Sequence, residues 1–252
     1  MISLEVQNGI AVATLCRPPV NAINEEWLAA LNGVMDAVEG DAGVKVLWIR
    51  SRERVFCAGA DLALMRERFA SDAGRREMVG TARSMQQAFA RLEKLGKVSI
   101  AEIGGPAMGG GFELALACDL RLVADTAKVG LPEARLGLLP GAGGTQRMTR
   151  LCGDAVARRL ILGAELVSGK DAVALGLAHW AVPAAELEAS TRAVADRIAG
   201  IPTAALGACK RCIEAALEAD KDGFEVELEQ TALLYANDET QGLVRAFLDK
   251  KK

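Results

Sequence analysis

Between an apolar run at Val98–Ile103 and a helical pattern at about Gly111–Cys118 lies Gly104-Gly105-Pro106-Ala107-Met108-Gly109-Gly110-Gly111, eight residues of which five are glycine. Glycine has no Cβ, so such a stretch lets backbone approach backbone, or a ligand oxygen approach a backbone N–H, more closely than other residues allow. The helix that follows also points the positive end of its dipole at the same place. The segment therefore reads as a tight crossing of backbone elements or as a ligand-binding loop. Either reading puts the segment at a sharp turn between a buried strand and a helix, and the recurrence of such strand-strand-helix units along the chain argues for an α/β fold.

The flanking pattern agrees. Alternating runs at Ile2–Gln7 and Ile10–Leu15 flank Asn8-Gly9, a two-residue hairpin signal. The spacing predicts a helix from about Asn24 to Glu39, with Trp27, Leu28, Leu31, Val34, Met35 and Val38 on one stripe. Val44–Arg50 reads as a buried strand, Ser51–Asp61 as a loop and Arg75–Leu95 as a long polar-faced helix. Leu120–Ala124 and Ala127–Gly130 read as short strands, and one short apolar run follows at Leu177–Val182. From about Ala184 the chain is amphipathic helix, interrupted at Gly200-Ile201-Pro202 and at Gly223. Strand-strand-helix units thus recur before a helical tail, and the division expected is 1–195 for the core and 196–252 for the C-terminal helical region.

Composition narrows the chemistry. Lys+Arg 30 against Asp+Glu 33 leaves a charge of −3, without the basic block that nucleic-acid binding needs. No apolar stretch is long enough to span a membrane, and the start Met1-Ile2-Ser3-Leu4-Glu5 lacks the features of a secretory signal. The cysteines read as reduced thiols of a cytoplasmic protein, including Cys209 and Cys212, whose C-x-x-C lies within a helical pattern from Thr203 to Ala219. His179 is the single histidine. A His-rich metal site is thereby excluded, and a Ser-His-Asp triad would have to recruit His179 without any G-x-S-x-G elbow. Neither a P-loop nor a Rossmann glycine pattern is complete. Carboxylates, backbone amides, thiols or lysines must carry the reaction.

Two acids stand beside glycine-rich turns. Glu113 sits just inside the helix after the glycines, among Phe112, Leu114, Ala115, Leu116 and Ala117. A carboxylate there is costly unless paired or used, and its pKa is expected to be raised. Its structural alternative is a helix N-terminal acid held by free amides. Glu133 follows Leu131-Pro132, ahead of Leu136-Gly137-Leu138-Leu139-Pro140, and its structural alternative is a solvated loop acid. Together they suggest an acid/base pair.

At these residues the sequence resembles the crotonase (enoyl-CoA hydratase/isomerase) superfamily. The resemblance runs through Asn21-Ala22-Ile23, Phe56-Cys57-Ala58-Gly59-Ala60-Asp61-Leu62, Pro106 to Leu114, Cys118-Asp119, Leu131-Pro132-Glu133 and Leu136 to Arg147, and extends to Gly176-Leu177. It implies a spiral of repeated β-β-α units with a C-terminal helical region, assembled as a homotrimer or as a homohexamer of two trimers. It implies an acyl-coenzyme A thioester as substrate, with coenzyme A entering as part of it and no separate cofactor or metal.

By the same resemblance, the backbone amides of Ala60 and Gly110 form an oxyanion hole. Glu113 and Glu133, at the family's 20-residue separation, activate water for C3 and deliver a proton to C2. Ala22, Ala58, Asp61, Leu62 and Pro132 contact the substrate and coenzyme A, with Phe247 and Lys250 completing the nucleotide site, often from an adjacent subunit. A solvated terminal lysine run is the other reading of Lys250. An apolar acyl pocket is implied around Leu64, Met65, Phe69, Met78 and Met108. The expected activity is that of an enoyl-CoA hydratase, a hydro-lyase of fatty-acid metabolism. A crotonase-fold isomerase or another acyl-CoA lyase is the alternative, although isomerases of the family usually lack one of the two acids.

Overall fold

The computed structural model describes residues 1–249. Asn8 and Gly9 both take positive φ, 53° and 77°, as a two-residue hairpin turn requires, and so join β1 (Ile2–Gln7) antiparallel to β2 (Ile10–Leu15). The Asn24 side chain accepts from the Trp27 N–H and starts α1 (Glu25–Gly40), which buries the six stripe residues expected of it. Strand β3 (Val46–Ser51) follows. Asp61 then caps α2 (Leu62–Arg68), accepting from the Ala63 and Leu64 N–H groups. This helix was not expected from the sequence, because it is too short for a periodic stripe and buries no residue. Ser71 caps α3 (Asp72–Glu93), which begins one turn earlier than its apolar pattern suggests.

Two strand-strand-helix turns come next. The first is β4 (Val98–Ile103), β5 (Ala107–Met108) and α4 (Gly110–Leu116). The second is β6 (Leu120–Ala124), β7 (Lys128–Gly130) and α5 (Gly144–Leu162). The chain closes with β8 (Val167–Ser168), α6 (Gly169–Ala174), β9 (Trp180–Val182), α7 (Leu187–Ala199), α8 (Thr203–Ala215), α9 (Gly223–Tyr235) and α10 (Asp238–Asp249).

In each turn the first strand joins one sheet and the second strand joins another. The larger sheet has the order β1-β2-β3-β4-β6-β9, parallel from β2 onward, and the smaller has the order β5-β7-β8. The mixed α/β spiral implied by the resemblance is therefore present. All six residues of β4 are buried, the mark of a parallel strand covered on both faces. Helix α7 lies across β2, β3, β4 and β6, with the Arg192 guanidinium 4.7 Å from the centre of the Trp48 ring. Helix α7 is continuous through residue 195.

One polar hub joins the tail to the core. Asp119 Oδ2 accepts from the Ser99 N–H and Oγ at 2.7 and 2.8 Å and from Lys210 Nζ at 2.9 Å. Lys210 lies between Cys209 and Cys212 on α8, and both thiols are free. The helix ends at Ala215, short of the Ala219 that its pattern suggests. No helix among the described residues is long and apolar enough to cross a membrane.

The glycine segment packs backbone on backbone against residues 56–61. Phe56 N donates to Pro106 O at 2.9 Å, and Met108 N donates to Cys57 O at 3.0 Å. A Cβ on Gly111 would lie 2.1 Å from Cys57 O, a contact that neither backbone can relieve without moving. Gly111→Ala should therefore lower stability by about 3 kcal/mol or more. Its urea unfolding midpoint, compared with that of the parent chain, checks this.

Candidate active site

The two backbones that meet at Gly111 also carry two N–H groups into one pocket. Gly59 has φ +95°, and a Cβ there would sit 2.9 Å from Met108 O and 3.0 Å from Gly110 N. Only glycine fits both the conformation and the space. Its close packing puts the next residue, Ala60, beside Gly110 at the start of α4. Among the described residues, neither the Ala60 nor the Gly110 N–H finds a partner within the chain. Two unused donors side by side at a helix N-terminus make a site suited to a developing oxyanion.

Helix α4 carries Glu113 one turn further in. Its side chain is 2% exposed, and its Oε1 accepts from Ala142 N at 2.8 Å and Gly144 N at 2.7 Å. These amides come from the loop before α5 and not from the acid's own helix, so Glu113 is not a self-capping acid. Burial is the main cause that pushes its pKa up to about 7; the Gly144 hydrogen bond opposes this and the charge of Glu133 adds to it.

Glu133 is not a solvated loop acid. It opens a single 3-10 turn, Glu133–Leu136, behind Pro132. Its Oε2 is buried without a hydrogen-bond partner, and burial raises its pKa. A Cβ on Gly109 would lie 2.7 Å from Glu133 Oε1, so this carboxyl is packed against the glycine segment itself.

A cavity of about 560 Å³ brings these groups together. Ala60, Gly110, Glu113 and Glu133 line it, as do Ala58, Asp61, Leu62 and Pro132. Leu64, Met65, Phe69, Met78 and Met108 supply apolar wall. Ala22 does not line it, but the Ala22 carbonyl accepts from Arg17 Nη1 at 2.6 Å, and Arg17 Nη2 pairs with Asp61 Oδ2 at 2.9 Å. That pairing holds the Asp61 carboxyl below its usual pKa. Phe247 lies on α10, exposed and not among the residues lining this cavity, and Lys250 falls outside the described residues.

His179 also stands apart from the cavity. Its Nδ1 accepts from Arg121 N at 3.1 Å, and burial pushes its pKa down to about 4. Among the described residues no group of three or more His, Cys, Asp or Glu side chains could hold a metal ion. Arg17, Arg147 and the Ala142 and Gly144 amides were not anticipated as parts of the site. Arg17 had only a strand-breaking signal beside Pro18-Pro19, and the amides had only the glycines around them.

Comparison with known proteins places the chain in a family. The family model described as enoyl-CoA hydratase/isomerase matches residues 5–252. A Bacillus subtilis protein named probable enoyl-CoA hydratase is 36% identical, covering 100% of this chain and 96% of its own. The crotonyl-CoA hydratase of Syntrophomonas wolfei is 34% identical, with coverages of 100% and 96%. The crystal structure of an enoyl-CoA hydratase from Geobacillus kaustophilus superimposes with a TM-score of 0.93 at 30% identity, covering 99% of this chain and 94% of that one. The chain belongs to the enoyl-CoA hydratase/isomerase family.

The raised pKa of Glu113 has a consequence for stability. The group is protonated up to about 7 in the fold and to roughly 4.3 in an unfolded chain. Stability is fully present below the unfolded value and is lost as pH rises through the folded one. Between those limits wild type should lose up to about 3 kcal/mol that Glu113→Gln does not lose. Urea titrations of both proteins from pH 4.5 to 8 measure the difference.

Proposed function

We propose that the protein adds water reversibly, in syn fashion, to a trans-2-enoyl-CoA and yields the 3-hydroxyacyl-CoA. One observation carries the reading: two buried carboxyls and two unpaired backbone N–H groups face the same apolar cavity. Hydration of an enoyl thioester passes through an enolate-like oxygen. The Ala60 and Gly110 N–H groups are suited to hold that oxygen, and losing one such donor costs about 3–4 kcal/mol. Both acids must act on one face of the double bond for the addition to be syn.

The two carboxyls repel each other, so near neutrality the pair holds one proton between them. Glu113 ionises at about 7, and the amide bonds from Ala142 and Gly144 hold its ionised form, which suits it to act as the base once it is ionised. The bare Oε2 of Glu133 is assigned the proton for C2. Glu113 then takes a proton from the attacking water at C3 while Glu133 delivers one to C2. Once Glu133 is neutral, its repulsion of Glu113 disappears, so the arrangement is self-consistent. No step requires a metal or a redox cofactor, and coenzyme A enters with the substrate. Retention of both acids, together with the names of the relatives, makes isomerisation the less favoured reading.

The same proposal gives Ala22, Ala58, Asp61 and Leu62 to the coenzyme A portion, with Phe247 and Lys250 reaching it from another subunit. Exposed Ile213, Leu217, Phe224, Leu228, Leu233 and Tyr235 make an apolar surface on α8 and α9 and their link. That surface is suited to assembly of 196–252 in a homotrimer or homohexamer. The six free cysteines fit a cytoplasmic setting.

Steady-state hydration of crotonyl-CoA should lose at least about a hundredfold in kcat on Glu113→Gln or Glu133→Gln. Near-normal turnover in both variants would contradict the assignment. Light scattering at micromolar concentration should return three or six times the chain mass; a monomer would overturn the assembly.

A further inference from the structure

The hydratase reading makes Glu113 a catalytic residue, and the inference here rests on that reading while asking what holds Glu113 in place. Its Oε1 takes its direction from the Ala142 and Gly144 N–H groups, which belong to Gly141-Ala142-Gly143-Gly144. A run with three glycines in four residues has little conformational preference of its own. Something outside it must fix the amides.

Arg147 does so from the first turns of α5. The residue is 7% exposed. Its Nη1 donates to Ala142 O at 3.0 Å, while its Nε and Nη2 donate to Glu93 Oε2 on α3 at 3.1 and 2.8 Å. Ala142 is thus gripped at both ends, its carbonyl by Arg147 and its N–H by Glu113. A Cβ on Gly143 would lie 2.3 Å from Arg147 Nη1, so the guanidinium rests directly on the loop. Arg147 neither lines the cavity nor hydrogen-bonds to Glu113. The charges facing Glu113 are Glu133 from the 3-10 turn and Arg147 from α5. Behind the clamp, Glu93 also meets the field of Glu214 on α8.

We propose that Arg147, anchored by Glu93, is a positioning residue that fixes the Ala142–Gly144 amides on Glu113 and so sets where the catalytic carboxylate points and when it ionises. A planar fork with three donations in two directions suits this task, and a lysine point charge does not. A purely structural arginine would instead support α5 and α3 without touching the chemistry.

The test is crotonyl-CoA hydration by wild type, Arg147→Gln and Glu93→Gln over a full pH range, with the Glu113 carboxyl titrated in parallel by NMR in 13C-Glu-labelled protein. Arg147→Gln should lower kcat at least about tenfold while KM stays within about twofold, because misdirecting a reacting group costs rate more than binding. The acidic limb of kcat and the Glu113 midpoint should both move to higher pH, since the ionised form has lost its fixed donors. Glu93→Gln keeps the Ala142 bond and should move both in the same direction by less.

A folded Arg147→Gln with unchanged kcat and Glu113 midpoint, whatever its thermal midpoint, overturns the proposal. Should that variant not fold, an unmoved midpoint in Glu93→Gln overturns it. Absence of turnover in wild type, with a midpoint that still moves in the variants, overturns the hydratase reading and leaves the clamp supported.

Discussion

Everything in the site hangs on two backbone segments that meet without side chains between them. The carbonyl of Cys57 occupies the space where a Cβ of residue 111 would stand, and the α-carbon of Gly59 lies against the peptide of Gly110. Larger residues at these positions would push the segments apart. That separation would part the Ala60 and Gly110 N–H groups, tilt α4 and carry Glu113 away from its two amides. The same segment packs against the Glu133 carboxyl through Gly109. One steric constraint thereby sets the relative position of both donors and both acids.

Around that contact the electrostatics are built from burial. Among the described residues neither acid has a cationic partner in hydrogen-bond contact, and desolvation raises both pKa values. What distinguishes the acids among the described residues is hydrogen bonding, two amides for Glu113 Oε1 and none for Glu133 Oε2. Similar groups in unlike surroundings can divide acid and base work between them. Histidine is not required, and the single imidazole is spent on a backbone N–H of Arg121.

Much of this was legible in the sequence because it was local. The Asn8-Gly9 turn, the α1 stripe and the six residues of β4 follow from spacing and residue type alone, and the structure has them where spacing put them. Glu113 and Glu133 stood out as acids in apolar or glycine-rich company. What escaped notice was either short or non-local. Helix α2 is seven residues long and is started by a single capping Asp61, and strands β5 and β8 are two residues each. The Arg147–Glu93 and Arg17–Asp61 pairs join residues 54 and 44 positions apart, distances over which periodicity carries no signal. A nucleotide end is implied only by the resemblance. Phe247 is not among the residues that line the cavity.

The central claim is that water is added across the double bond by two carboxyls working on one face. Incubating the enzyme with crotonyl-CoA in a mixture of 18O water and D2O, and analysing the product by mass and proton NMR, reads each transferred atom. The account predicts one 18O at C3 and one deuterium at C2, placed syn to each other. A migrated double bond without 18O, or an anti arrangement of the two labels, would contradict it.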